Sequence, residues 1–362
     1  MNQIDKQNTV KVCIQKSSYE TLDLDYLLNP LGGIKKYVGK NERVLLKVNL
    51  LNATQPEKAV VTNPLLVKKT VELVIKAGGI PYIADSPSGQ FTKWRLKRVY
   101  KKSGLKKISD ELGIELNYDT RTTKIQIPYG KKLKETPICN YVKKADKIIS
   151  LPKIKTHSFM IMTLATKNMY GIIPGLTKAK YHTLFFKPSS FADMILDINS
   201  VIKPDLIIMD GIIGMQGEGP SGGTPVNLGV VLASENSIAI DIAVCNMLNI
   251  EPVGIPILKQ AKIRRLWPKE IIYPQLTPQD VRYNGFILPS TANYILTGKK
   301  TPKESPVVNN RCISCGQCQE ICPKKAITNT SSGAKIDYSK CIRCYCCHEI
   351  CPEKAIDLKP LK

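Results

Sequence analysis

Nine of the chain's twelve cysteines lie between Cys312 and Cys351, and the spacing of eight of them limits what that segment can fold around. Cys312 to Thr328 (CISCGQCQEICPKKAIT) aligns, at an offset of 29, with Cys341 to Asp357 (CIRCYCCHEICPEKAID), and eleven of seventeen positions match. Two copies imply two equivalent sites. A disulfide framework suits small secreted domains, but the start, MNQIDKQNTVKVCIQK, lacks the basic-then-apolar pattern of a signal peptide. Metal binding is the better class. Zinc sites usually present two separated ligand pairs, whereas each copy here presents a triplet plus one.

Each copy reads C-x-x-C-x-x-C-x-x-x-C-P, and the segment resembles the bacterial two-cluster ferredoxins throughout. In that pattern three closely spaced thiolates wrap three corners of one cubane, and the fourth cysteine, just before proline, ligates the other cluster. The resemblance implies one 4Fe–4S cluster on Cys312, Cys315, Cys318 and Cys351, and a second on Cys341, Cys344, Cys347 and Cys322. Cys346 breaks the repeat and reads as unligated filler, with a competing thiolate as the alternative. His348 lies between ligands and is expected to cover or tune a cluster.

The whole chain has 362 residues, 43% of them hydrophobic, so a large core is available beside the cysteine segment. Two domains are expected, residues 1–302 and 303–362. No apolar run approaches the roughly eighteen residues of a membrane helix, so no membrane span is expected. Ferredoxin-type centres suit a reducing, oxygen-poor cytoplasm, the expected location. The formal charge is +23, and residues 303–362 hold only ten basic against six acidic side chains. The basic character therefore belongs to the larger part, which should attract anions.

RVLLKVNLL (Arg43 to Leu51) is an apolar run of strand length. Asn63-Pro64 supplies an N-cap and first-turn proline for the helix PLLVKKTVELVIKA; Gly78 and Gly79 end it, and PYIADS (Pro81 to Ser86) follows as a strand. Such a unit must cross over into a parallel pair. Lys147–Leu151, Asp205–Met209 and Gly229–Ala233 are further strands, with helical patterns at Ala192–Ile202 and Ser237–Leu248 between them. The expected fold is α/β: a mainly parallel sheet with flanking helices, doubly wound or a related three-layer arrangement, plus a small α+β ferredoxin-like domain.

In open parallel sheets ligands sit beyond the carboxyl ends of the strands. Those ends carry Lys47 and Asn49, Asp85, the run Lys153-Ile154-Lys155-Thr156-His157, and Asp210. Each alone reads equally as a cap, a turn or a solvated lysine; converging, they form a candidate site. Thr166 to Gly171, after a helical run beginning near Ser158, adds Lys167, Asn168 and Tyr170 as donors to an anionic or carbonyl-rich ligand. The glycine-rich loop GIIGMQGEGPSGGTP (Gly211 to Pro225) could bring its backbone close to a phosphate. It has no Walker lysine and no dinucleotide fingerprint, and a long structural turn is the other reading. Glu218 within it could act as base, ligand or solvated residue, and His157 and His182 could relay protons or be structural.

The ordered set VNL, VTNP, ADSP, LPKIKTH, TLATKNMYG, KYH, DGIIGMQGEGPSGG and ASENSIAID resembles the family called domain of unknown function 362. The family's motif positions here include Lys155, His157, Tyr170 and Glu218, which are the catalytic candidates. Lys47, Asn49, Asp85, Lys153, Lys167, Asn168, His182, Asp210, Gly217 and Gly219 are the candidates for holding a ligand or cofactor. Gln216 stands where an acidic residue is expected, which weakens a mechanism needing two carboxylates in that loop.

Lys93 to Lys107 (KWRLKRVYKKSGLKK) carries eight basic residues and no acid, yet no recognised nucleic-acid motif accompanies it. A redox partner protein, acidic in charge, is expected ahead of nucleic acid, together with a small anionic ligand. Three functional readings follow. The first is an oxidoreductase relaying single electrons through two clusters to an anionic substrate or cofactor in the α/β pocket. The second is a ferredoxin-like carrier or adaptor, and the third a non-redox ligand-binding or isomerase-type protein with structural clusters. Two clusters make a relay where one would serve as a staple, which favours the first. No motif specifies a flavin, corrinoid or other additional pocket cofactor.

Overall fold

The computed structural model describes residues 9–297 and 304–360, so the expected domain boundary at 302/303 lies outside the described residues. The elements that build the site are, in chain order, β1 (Cys13–Lys16), β2 (Arg43–Lys47), α1 (Pro64–Lys76), β3 (Ile80–Ala84), α2 (Lys93–Lys102) and β4 (Glu115–Leu116). There follow β5 (Lys147–Ser150), β6 (Lys153–His157), β7 (Ile161–Thr163), α3 (Ala165–Asn168), α4 (Gly175–Leu184) and α5 (Pro188–Val201). The larger part continues with β8 (Leu206–Gln216), β9 (Thr224–Ser234) and α6 (Ser237–Met247).

Local signals account for the β2–α1–β3 unit. The Asn63 side chain accepts the Leu65 N–H, Pro64 opens the first turn, and Leu66, Val67, Val71 and Val74 form the buried stripe. β2 then pairs in parallel with β3 and β5, β3 with β4, and β8 with β5 and β6. Lys47 is the register partner of both Ala84 and Ser150, so three adjacent strands end side by side at one edge. Alternate residues feed two cores: Leu45, Ile207 and Met209 on one face, Val44, Leu46 and Ile208 on the other. Both faces of the sheet are therefore buried, as parallel strands require.

The sheet is mixed rather than mainly parallel. The expected strand at Gly229–Ala233 lies within β9, which runs antiparallel to β8 as a long hairpin and carries β1 antiparallel on its far side. Of the expected glycine-rich loop Gly211 to Pro225, only residues 217–223 form the tip of this hairpin; residues 211–216 lie in β8 and 224–225 in β9. The helical run expected from Ser158 is also absent: residues 161–163 pair antiparallel with 155–157, and the helix that follows is only α3. The reason is a tight turn through Phe159 and Met160 that places Ile161 at φ 65°, where a β-branched residue is strained.

The C-terminal part holds β10 (Ser305–Val308), α7 (Gln317–Ile321), β11 (Ile327–Thr330), β12 (Gly333–Ile336), α8 (Cys346–Ile350) and β13 (Ile356–Lys359). β10 pairs with β13 and β11 with β12, all antiparallel. The repeat recurs in the backbone. Ser314 and Arg343, Gly316 and Tyr345, and Lys325 and Lys354 occupy matching left-handed positions, each pair 29 residues apart. That curls the chain twice in the same way.

Candidate functional site

The cysteines separate into two groups. Cys312, Cys315, Cys318 and Cys351 line one cavity of the C-terminal part, and Cys322, Cys341, Cys344 and Cys347 line another. Among the described residues no three His, Cys, Asp or Glu side chains converge as they would on a single metal ion. Four thiols around each cavity match the ligand number of a 4Fe–4S cubane. The Ala326 and Ala355 N–H groups donate to Cys322 and Cys351 Sγ, each at 3.2 Å, so the two sites are matched at their prolyl ligands as well. Hydrogen bonds to sulfur help set cluster potential. The arrangement fits two 4Fe–4S clusters.

At the carboxyl edge of the sheet a cleft of about 710 Å³, including its open mouth, lies between the strand ends, α3, α4 and α8. Lys47 forms its back wall: Nζ pairs with Asp85 Oδ1 at 2.9 Å and donates to Val48 O at 2.7 Å, with both side chains buried. Asp85 also accepts the Leu50 and Ser86 N–H groups. Gly171 is required beside this pair, since a Cβ there would stand 2.2 Å from Asp85 Oδ1. Asn168 donates to Lys47 O and Ser150 Oγ while accepting from Asn49, which stitches the ends of β2 and β5 to α3.

Donor capacity separates the lysines. Lys178 is spent on Ser86 and on Ile173 O, and Lys47 is saturated. Lys155 donates only to Val60 O, at 2.7 Å, and Lys167 has no hydrogen-bond partner among the described residues. Burial, reinforced by Lys167, lowers Lys155 to about 7, while burial lowers Lys167 and Lys178 to about 8. Burial likewise holds His157 well below its ordinary value. Its Nδ1 accepts the Phe159 N–H at 3.1 Å, so the ring proton sits on Nε2, 3.4 Å from Glu349 Oε1. Burial raises Glu349 to about 7, against the pull of Lys167 and Lys155.

Among the described residues several polar atoms of the wall are buried with no hydrogen bond: Thr163 Oγ1, His182 Nδ1, Asn49 Oδ1, and Glu349 Oε1, which has only the ion-pair contact with His157. Such atoms are costly unless something occupies the space before them. Tyr170 also lines the cleft, but its hydroxyl donates to Lys178 O at 2.9 Å and burial raises its pKa, so its proton is committed. His182 packs between Phe159 and Phe191, and burial lowers it to about 3.

The remaining sequence candidates lie elsewhere. Lys153 and Asp210 are fully buried and paired at 2.7 Å; Asp210 also accepts from Tyr19 and from the Asn63 N–H at the start of α1. Glu218 accepts the Ser290 N–H at 2.7 Å, outside the cleft lining. Gly217 donates to Ile287 O, and Gly219 packs so tightly that a Cβ would lie 2.2 Å from Thr156 O. The hairpin tip instead seats the cluster-bearing part. Glu218 O faces His348 Nε2 at 3.2 Å, Ser221 Oγ donates to Glu349 O at 2.7 Å, and Lys354 Nζ donates to Gly223 O at 2.9 Å.

Lys178, Thr163 and Glu349 are among the lining residues that escaped the sequence reading, and Cys346 was singled out there without a place in the cleft. Cys346 borders both the cleft and the cavity of Cys322, Cys341, Cys344 and Cys347. Only its break in the repeat signalled it. Glu349 matches Glu320 of the first copy, so nothing in the sequence marked it.

Two matched thiolate cages joined to an α/β part define a dicluster iron–sulfur protein of the electron-transfer class. Residues 306–352 match the 4Fe–4S dicluster domain, and residues 44–246 match the domain of unknown function DUF362. The chain belongs to the DUF362 family, carrying a dicluster domain at its C-terminus. It is 30% identical over 289 residues to a thylakoid-associated protein of Synechocystis sp., covering 76% of this chain and 86% of that one. Among solved structures it is similar to a Thermotoga maritima protein (TM-score 0.34, 13% identity, 57% of this chain and 53% of that). It is also similar to the lactate racemase apoprotein of Thermoanaerobacterium thermosaccharolyticum (TM-score 0.35, 14% identity, 66% of this chain and 57% of that). This chain thus aligns with little more than half of either solved chain. Among the described residues no helix is long and apolar enough to cross a membrane.

Proposed function

We propose that the protein is an iron–sulfur oxidoreductase whose small anionic substrate binds in the lysine-lined cleft. The observation that carries this reading is that α8, the helix holding ligand Cys347, supplies Cys346 and Glu349 to the cleft wall. Bound clusters would supply electrons singly, and two of them suffice for a two-electron reduction. Lys155 and Lys167 bind the anion with their spare N–H donors. Lys47 and Asp85 hold the strand ends rigid behind it. His157 keeps its proton on Nε2 facing Glu349, which orients that carboxyl in the cleft wall. A redox partner protein and a reducing, cytoplasmic setting complete the proposal.

The test uses anaerobically purified protein with its clusters reduced by dithionite. Small carboxylates and inorganic phosphate are titrated in while the EPR spectrum is followed. Because Cys346 adjoins the Cys344–Cys347 cavity, an anion held by Lys155 and Lys167 is expected to shift the signal of one cluster only. Lys167→Met should abolish the shift. An unchanged spectrum with every anion sinks the cleft reading, and clusters that resist all physiological donors favour a non-redox protein.

A further inference from the structure

A second groove runs just outside the cleft, between α4 and the prolyl ligand of one cluster site. It is lined by Leu176, Ala179, Leu184, Ile321, Cys322 and Pro323. Ala179 and Ile321 also line the cleft, so the two cavities share a wall. Leu184 is 55% exposed, and the neighbouring Phe186 is 56% exposed. Apolar side chains grouped beside a cluster ligand are not placed there by the needs of the core.

The charges around the groove are predominantly basic. Lys180 lies in its lining, Lys324 follows Pro323, and Lys187 reaches over the Phe186 ring at 5.9 Å; all three are exposed and form no ion pair among the described residues. The one acid in the lining, Glu320, accepts the Gln90 N–H at 3.3 Å, with Arg95 of α2 close enough to attract it. That contact brings the basic helix α2 alongside. Its Lys93, Trp94, Lys97 and Arg98 are exposed, with Arg98 stacked over Trp94 at 4.7 Å. An apolar floor within a wide basic rim is complementary to an acidic protein surface.

We infer that this groove is the docking site of an acidic one-electron carrier protein, which delivers electrons at the cluster site containing Cys322. One electron leaves the carrier's reduced centre and enters the oxidised cluster; no bond forms and no proton moves. Successive encounters supply the second electron. The inference rests on the redox reading of the clusters, but not on what the cleft binds. Electron-transfer contacts are small and transient, which suits a groove with loosely held lysines at its edge.

The experiment is stopped-flow reduction of the holoprotein by a reduced acidic 2Fe–2S ferredoxin, without any cleft ligand, read from cluster absorbance over a range of salt concentrations. The rate is expected to fall steeply with salt. Lys180→Glu/Lys187→Glu should slow it about tenfold at low salt and flatten the salt dependence. Leu184→Asp should weaken carrier binding, measured separately by anisotropy of a labelled carrier. Reduction of each variant by dithionite, with unchanged iron content, shows that the clusters remain intact. The proposal is overturned if the groove variants leave carrier-driven rates unchanged. It is equally overturned if Ile313→Asp, beside exposed Cys315 at the other cluster site, is the substitution that slows them, or if the groove binds only a small amphiphile and no carrier. The cleft reading is tested with dithionite alone, so either proposal can fail without the other.

Discussion

Lys155 and Lys167 share a role because Lys155 spends only one donor on the protein, on Val60 O, and the Lys167 amine spends none among the described residues, and their burial makes that role depend on pH. Their amines lose protons as pH rises through about 7 and about 8 respectively, so anion affinity should be full well below pH 7 and fall as pH rises through both values. Stability of the ligand-free protein should move the other way. Between those values and the ordinary lysine value near ~10.4 the unfolded chain binds more protons, so stability rises with pH across this window. Urea midpoints and anion titrations at matched pH test both; parallel trends would refute the assignment. His182 separates packing from function at a single residue. His182→Phe keeps the contacts with Phe159 and Phe191 but removes the unpartnered Nδ1. We expect stability within about 1 kcal/mol of wild type, or higher, and weaker anion binding. Lost stability with unchanged binding would make it a structural histidine.

Among the elements, β6 divides its residues between two tasks. Lys155 and His157 line the cleft, whereas Lys153 is locked to Asp210 under the start of α1. Lys153→Met strands a buried carboxylate and should cost roughly 3–5 kcal/mol while leaving anion affinity nearly unchanged in protein that still folds. A large loss of affinity at full stability would bring the pair back into the site. The β8–β9 hairpin shows why motif reading misplaced Glu218. Its glycines look like a phosphate cradle, yet in Gly222 the missing side chain makes room for the His348 ring, which a Cβ would approach to 2.9 Å. Gly222→Ala should loosen α8 from the hairpin, at about 1–3 kcal/mol, with iron content kept and cleft affinity reduced. Proteolysis between the two parts and iron analysis would check this, and unaltered affinity would show that the tip does not seat the helix. The turn after His157 is a parallel case. Apolar SFMIM reads as helix by pattern, and only the pairing of β7 with β6 makes it a hairpin.

At the scale of the molecule, bound iron would hold the C-terminal part together, since its own apolar core is small and five of the side chains in or against it are the expected cluster cysteines. Chelation under reducing conditions should unfold residues 304–360 while the α/β part keeps its circular dichroism, and should abolish anion binding because α8 forms part of the cleft wall. Binding that survives metal removal would separate the two halves functionally. Three cysteines of each group were legible because they stand at i, i+3 and i+6, whereas the fourth, Cys351 or Cys322, comes from the other repeat and was assigned only through the resemblance to two-cluster ferredoxins. The β2–α1–β3 unit was legible because caps, proline and apolar periodicity are local. What the sequence by itself determined is therefore two cluster sites, an α/β body and a set of polar strand ends. Tertiary structure alone decided which of those ends share a cleft, that Lys178 and Glu349 join them, and that Cys346 stands between cleft and cluster. These depend on segments nearly two hundred residues apart packing against each other, as Lys155 and Glu349 do, and such contacts leave no periodic trace in the chain.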